Sequence, residues 1–303
     1  MTFRVQQLRV WVRELQARLP QQWPHYVSLT RLNRPIGIFL LLWPTWWALL
    51  IAGQGHPDPW LWMAFTLGVI VMRSAGCVIN DYADRHIDSH VRRTRERPLV
   101  TGAVTPREAM TLFYGLVIVA VLLVLTLNRL TQWLAIAALG LAITYPLAKR
   151  RTYLAQFHLG LAFGWSIPMA FAAQTNTLPP LAWLLLTANI LWSVIYDTMY
   201  AMADREDDLK IGVRSTAILF AENDRVIIGV IQAMLLLTFI FIGQRAELGM
   251  YYYFGLGGAT LLGIYHQYLI RDREPDDCLR AFRHNNWLGL CVFLGLLLAY
   301  RWG

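Results

Sequence analysis

Residues 107–127 read REAMTLFYGLVIVAVLLVLTL, and after Arg107 and Glu108 no charge recurs before Arg129. A bilayer core about 30 Å thick is crossed by about 20 apolar residues in an α-helix. The helix satisfies its own backbone donors and acceptors where no water can. This stretch is therefore read as a membrane span. Outward from it, apolar stretches of similar character recur near 36–52, 60–80, 131–148, 156–174, 179–201, 225–243, 249–269 and 286–301. With 107–127 they make nine, so the expected fold class is an all-α polytopic membrane protein with nine transmembrane helices. Pro44, Pro146 and Pro168 lie inside spans, so the span bounds hold to within a few residues, and Pro146 is a place where a helix can either break or continue.

Composition agrees. Of the 303 residues, 56% are hydrophobic and 15% charged, against about 25% charged in soluble domains. Thirteen Trp and thirteen Tyr suit aromatic belts at two interfaces. The net charge of +8 does not mark a nucleic-acid binder, because the cations sit in short loops between apolar segments. Cys77, Cys278 and Cys291 have neither metal nor redox spacing and are read as packing or loop thiols.

Cation placement tests the span count independently. Only Arg129, Arg245 and Arg301 fall on one side and Arg73 lies within a span, whereas the other 23 of the 27 Lys and Arg fall on the opposite side. That alternation puts the N-terminus in the cytoplasm and the C-terminus outside. Residues 1–30 form a separate N-terminal segment. Leu8, Trp11, Val12, Leu15 and Leu19 make an apolar stripe opposite Arg4, Arg9, Arg13 and Arg18, the pattern of a helix lying in the interface. It lacks the short apolar core and cleavage site of a secretory signal. A mitochondrial transit peptide is the competing reading, against which Glu14 and the scarcity of Ser argue.

The two long cytoplasmic loops follow the second and sixth spans, and both open with acidic clusters. In Asn80-Asp81-Tyr82-Ala83-Asp84-Arg85-His86-Ile87-Asp88, Asn80, Asp84 and Asp88 are spaced i, i+4, i+8 and share one helical face. In the run 197–208, Asp204 and Asp208 are again i, i+4, with Asp197 about two turns earlier. Stacked carboxylates repel unless a cation lies between them, and hard oxygen ligands at this density suit Mg²⁺ carrying substrate phosphates. The alternative for either cluster alone is a solvated acidic loop; their equivalent placement favours function and hints at an internal repeat of four helices. His86 and His90 are also i, i+4 but are read as solvated loop residues.

Basic residues accompany the clusters: Arg92, Arg93, Arg95 and Arg97 after the first, Lys210 and Arg214 after the second. Arg92 and Arg95 are read as orientation charges. Tyr145 and Lys149, with Arg150, stand at a cytoplasmic helix end where a hydroxyl and an ammonium can grip a diphosphate. Arg73 lies inside the second span, where a charge costs about 2.5–3.5 kcal/mol on the milder scale. Seven residues before Asn80, it is about two turns deeper, suited to receive a carboxylate bidentately or to pair with an aspartate of the bundle.

These residues resemble the UbiA superfamily of intramembrane prenyltransferases, most closely its 4-hydroxybenzoate polyprenyltransferases. The resemblance covers nearly the whole chain. It runs through 31–37 (RLNRPIG), 72–77 (MRSAGC), the NDxxDxxxD run at 80–88, Arg97-Pro98-Leu99, the Tyr145/Lys149 pair, Tyr200-Ala201-Met202 with Asp204 and Asp208, and 210–216 (KIGVRST). It implies that residues 31–303 form a nine-helix domain around a central cavity with a lateral opening to lipid. It further implies Mg²⁺ held by Asn80, Asp84, Asp88, Asp204 and Asp208, the four aspartates being catalytic. Arg73 would hold the carboxylate of an aromatic acceptor. Tyr145, Lys149, Arg150, Arg93, Arg97, Lys210 and Arg34 would serve the diphosphate, with Asp197 joining the substrate-binding set. The implied activity is Mg²⁺-dependent transfer of a polyprenyl group to the 3-position of 4-hydroxybenzoate, for ubiquinone biosynthesis. The implied setting is a bacterial inner membrane, with the site facing the cytoplasm. Rival readings are a member with a menaquinone-type or haem acceptor, and a cation transporter. Transporters hold such carboxylates near the bilayer midplane, whereas these stand at helix ends.

Overall fold

The computed structural model describes residues 21–85, 94–212 and 214–303; the side chains of residues 146–151 and 211 are not among those described. The interfacial helix expected at the N-terminus falls mostly on residues 1–20, outside the described residues. Among the described residues every regular element is helical. In chain order they are α1 (residues 21–29), α2 (Ile36–Ala52), α3 (Pro59–Asp84), α4 (Pro106–Leu125), α5 (Arg129–Arg151), α6 (Ala155–Gly164), α7 (Ser166–Thr175), α8 (Pro180–Ile211), α9 (Thr216–Phe220), α10 (Asp224–Arg245), α11 (Met250–Leu269) and α12 (Pro275–Trp302). Four stretches among them, Pro59–Asp84, Pro106–Leu125, Pro180–Lys210 and Thr216–Arg245, are long and apolar enough to cross a bilayer, and Ile36–Ala52 is a shorter apolar helix. The chain is a multi-pass membrane protein.

Two compact units divide it. The first comprises the residues up to Ile38 and Gly68–Leu122; the second comprises Phe39–Leu67 and Leu123–Gly303. This division cuts through α2 and α3.

In the first unit, Leu29, Val78, Leu99, Val104 and Ala109 form a buried cluster, with Tyr26, Tyr82, Leu112 and Phe113 packed against it. It ties α1, the end of α3, the 94–105 segment and the start of α4 together. α4 begins with a capping box. Glu108 accepts the Thr105 amide at 2.8 Å, and the Thr105 hydroxyl accepts the Glu108 amide at 3.2 Å, so two otherwise orphaned donors are satisfied. Pro106 at the first helical position needs no partner for a missing N–H. Farther along, Tyr114, Ile118, Val121 and Leu122 are exposed, and only 11% of the helix's apolar window is buried. Such a surface would aggregate in water; against lipid tails it is ordinary contact.

In the second unit α8 is central, packing against α6, α7, α9, α10 and α12. Close helix contacts require glycine: a Cβ on Gly255 of α11 would meet Gly295 Cα of α12 at 2.7 Å, and one on Gly160 of α6 would meet Ile190 Cα of α8 at 3.0 Å. Three interior tryptophans find acceptors where no water can serve them. The indole N–H groups of Trp43, Trp47 and Trp192 donate to Asn286 Oδ1 at 2.9 Å, the Gly289 carbonyl at 3.2 Å and Asn285 Oδ1 at 3.0 Å. These three tryptophans are buried in the core, so the expected interfacial belts account for only part of the Trp content.

Three helix bounds differ from the sequence reading. The fifth span is two helices, α6 and α7, broken at Trp165. The break falls one turn before Pro168, whose ring crowds the carbonyl four residues back. α5 instead runs unbroken through Pro146 to Arg151. α8 continues past the sixth span through the second acidic run to Ile211, ending at Gly212, whose φ of +71° suits a glycine cap.

Candidate active site

α3 carries the first motif in its last turns. At 26 residues it is about 39 Å long, more than the roughly 30 Å of a bilayer's hydrocarbon core. Asn80 is exposed and Asp84 half-buried, one above the other at i, i+4. Asp88 and Arg93 lie outside the described residues, as do Arg92, His86 and His90.

Asp81, between them in sequence, is turned about 100° from Asn80 around the helix and is 2% exposed. Arg31 Nη2 donates to both of its carboxylate oxygens at 2.9 and 2.8 Å, and Arg97 Nη1 reaches Oδ1 at 2.9 Å. Arg31 also donates to the Ser28 carbonyl at 2.6 Å. The clamp pins the segment before α2 and the 94–97 turn to the end of α3. Arg97, expected on the diphosphate, is thus engaged by Asp81, and the clamp of Arg31 and Arg97 on Asp81 is a contact that the sequence reading left without a role. The one signal in the sequence was an aspartate off the face shared by Asn80 and Asp84.

Deeper in α3, Arg73 is half-buried and lies over Gly37 in the first turn of α2. A Cβ on Gly37 would stand 2.7 Å from both Arg73 Nε and Nη2. The first turn of α2 thus supplies, at Gly37, the floor on which Arg73 rests. Arg34, one turn earlier, is exposed.

The second motif occupies the end of α8. Asp197, Asp204 and Asp208 are each half-buried. Lys210 pairs with Asp207 at 3.3 Å, both highly exposed, a contact worth about 0–1 kcal/mol. Arg205 instead pairs with the fully buried Asp224. Tyr200 packs edge-on against Phe282 at 5.1 Å. Tyr145 is half-buried and stacks on His158 at 6.1 Å; the side chains of Lys149 and Arg150 lie outside the described residues. Arg214 rides over the Tyr153 ring at 5.3 Å.

The donors suit a hard dication. Asn80 with Asp84, and Asp204 with Asp208, are amide and carboxylate oxygens in helical pairs, and Cys77 and Cys278 are buried away from any thiolate role. Among the described residues no three His, Cys, Asp or Glu side chains form one metal-holding group. Mg²⁺ needs none, since one or two carboxylates, waters and phosphates complete its shell.

Residues 41–298 match the UbiA prenyltransferase family. A 4-hydroxybenzoate octaprenyltransferase of Alkalilimnicola ehrlichii is 57% identical over 92% of this chain and 95% of its own length. One from Saccharophagus degradans is 58% identical over 90% of this chain and 91% of its own length. Among solved structures, the apo UbiA homologue of Aeropyrum pernix K1 superposes with a TM-score of 0.75 at 25% identity, covering 86% of this chain and 97% of that one. The Archaeoglobus fulgidus homologue bound to GPP and Mg²⁺ shares the fold, with a TM-score of 0.69 at 17% identity over 90% and 99% of the two chains. The family match takes in α3 and α8, the helices that carry both acidic motifs, and relatives more than half identical extend along nine-tenths of the chain; the protein belongs to the UbiA prenyltransferase family.

Proposed function

We propose that the protein transfers the polyprenyl group of a polyprenyl diphosphate to the 3-position of 4-hydroxybenzoate, the ring carbon ortho to the phenol, as a step of ubiquinone biosynthesis. The observation that carries this reading is the near-full-length similarity to 4-hydroxybenzoate octaprenyltransferases. Their names make octaprenyl diphosphate the first donor to try. Nine membrane-crossing helical segments surround a cavity open sideways to lipid, in a bacterial inner membrane. The N-terminus and both acidic motifs face the cytoplasm and the C-terminus faces the periplasm, in keeping with the distribution of Lys and Arg.

Asn80, Asp84, Asp88, Asp204 and Asp208 hold Mg²⁺; bound there, the ion supplies positive charge to the leaving diphosphate. Arg34, Arg93, Lys149 and Arg150 add cationic donors for the diphosphate oxygens, with the Tyr145 hydroxyl beside them. Arg97 and Lys210 act at a remove, since Asp81 and Asp207 already engage them. Arg73, supported by Gly37, takes the carboxylate of 4-hydroxybenzoate and so orients the ring. Asp197 joins the substrate-binding set. The allylic C–O bond breaks, the diphosphate departs with the electron pair, the ring carbon attacks the allylic cation, and the ring gives up its proton. Apolar helices keep out water that would quench the cation, and aromatic faces stabilise it.

The test is a product assay. Purified protein in nanodiscs receives Mg²⁺, octaprenyl diphosphate and 4-hydroxybenzoate, a dihydroxynaphthoate or haem, with products read by mass. Prenylated 4-hydroxybenzoate is expected. Product from naphthoate or haem alone would overturn the acceptor, and no product from any would overturn the activity.

A further inference from the structure

Asp224, the first residue of α10, is fully buried and has no part in the proposed chemistry. Cations from two other segments close on it. Arg205 of α8 donates through Nη2 to Oδ2. Arg273, in the turn between α11 and α12, brings Nη2 to 3.0 Å from Oδ1, and Nε to 3.1 and 3.2 Å from the two oxygens. The Arg225 amide donates to Oδ1 at 2.7 Å, and Arg273 Nη2 also donates to the Glu222 carbonyl at 2.7 Å. A carboxylate can be buried as an anion only when its lone pairs are taken up in this way. Here the donors come from the end of α8, the start of α10 and the α11–α12 turn, so one anion joins three segments.

Arg205 sits inside the second acidic motif. Asp204 and Asp208 share a helix face, and Arg205 lies about 100° round from Asp204. The tail of α8 is unfavourable by itself, because Asp204, Glu206, Asp207 and Asp208 crowd a helix C-terminus. There the macrodipole disfavours negative charge, and like charges at i, i+4 repel. Lys210 offsets little, as its exposed pair with Asp207 is weak. The buried contact to Asp224 anchors this tail from outside the helix.

We infer that Asp224 is a positioning residue for the second acidic motif. By holding Arg205 it keeps α8 helical to Ile211 and sets the rotation at which Asp204 and Asp208 are presented. The metal half of this inference rests on the proposed function; the helical half does not.

Two readouts test it in full-length protein in nanodiscs: amide hydrogen exchange without metal, and Mn²⁺ binding by electron paramagnetic resonance. In Asp224→Asn, exchange across residues 203–210 is expected to rise about tenfold while amides 228–239 of α10 keep their protection. Mn²⁺ binding weakens about tenfold, the lower end for loss of an outer-shell partner. Asp224→Glu restores part of both. Arg205→Gln, which leaves Arg273 on the buried carboxylate, is expected to act in the same direction and decides the matter alone where Asp224→Asn does not fold. Unchanged exchange at 203–210 in folded Arg205→Gln would overturn the inference. Wild-type protein without Mg²⁺-dependent prenyl transfer would sink the preceding reading, whereas unchanged exchange in the variant beside intact wild-type transfer would sink only this one.

Discussion

The guanidinium of Arg73 lies over Gly37 so closely that only a residue without a side chain leaves it in place. The atoms that an added methyl would strike are the far end of a flexible side chain, so Gly37→Ala is expected to displace the arginine without unfolding α2 or α3. If Arg73 binds the acceptor, the KM for 4-hydroxybenzoate rises about tenfold, near the 1.5 kcal/mol lower bound for a hydrogen bond to a charged group. The KM for the prenyl diphosphate stays put. Arg73→Ala acts in the same direction and further. Equal effects on both substrates in steady-state kinetics would assign Arg73 a purely structural role.

Asp84→Ala and Asp204→Ala are each expected to lower kcat/KM for prenyl transfer by more than about 100-fold, since even outer-shell partners of a metal are worth 10–100-fold. Thermal unfolding in detergent should change little, because both side chains are half-buried at helix ends. Transfer that survived either substitution would remove that motif from the chemistry.

Asp81 and Asp207 both pair with cations, and their burial predicts opposite outcomes. Asp81→Asn leaves Arg31 and Arg97 facing a neutral group at a site 2% exposed, and is expected to cost about 3–5 kcal/mol. Asp207→Asn breaks a pair 63–70% exposed and costs less than about 1 kcal/mol. Denaturant titration of the two variants side by side checks the contrast.

Along α11 the neighbouring glycines are not equivalent. Gly255→Ala drives a methyl into the backbone of α12 at 2.7 Å and is expected to destabilise by about 1–3 kcal/mol through overpacking. Gly257 has nothing within 4 Å of its would-be Cβ, and Gly257→Ala should gain up to about 1 kcal/mol from helix propensity. The midpoints of thermal unfolding order the two variants.

The four stretches long and apolar enough to cross a bilayer, the one at 107–127 among them, were legible because bilayer thickness imposes a length on apolar runs. The pairing of Asn80 with Asp84, and of Asp204 with Asp208, was legible from helical period alone. What escaped depends on partners distant in sequence. Nothing near Asp224 announces that Arg205 and Arg273 converge on it, and nothing in 34–37 says that Gly37 supports Arg73. Proline was a poor guide by itself: Pro146 passes through a continuous helix, while Pro168 follows a break. Tryptophan content overstated the interface because Trp43, Trp47 and Trp192 find acceptors inside the bundle.

The 32 residues of α8 extend about 48 Å, well past a 30 Å hydrocarbon layer. A polyprenyl diphosphate is an amphiphile whose scissile bond joins an oil-soluble tail to a water-soluble head. On the proposed reading, a helix that outruns the oil would bring its acidic residues to the level where such a molecule already changes phase. Bilayer depth would then sort donors before any side chain touched them: a fully dissolved diphosphate would not sink its tail, and a headless isoprenoid would not rise to the carboxylates.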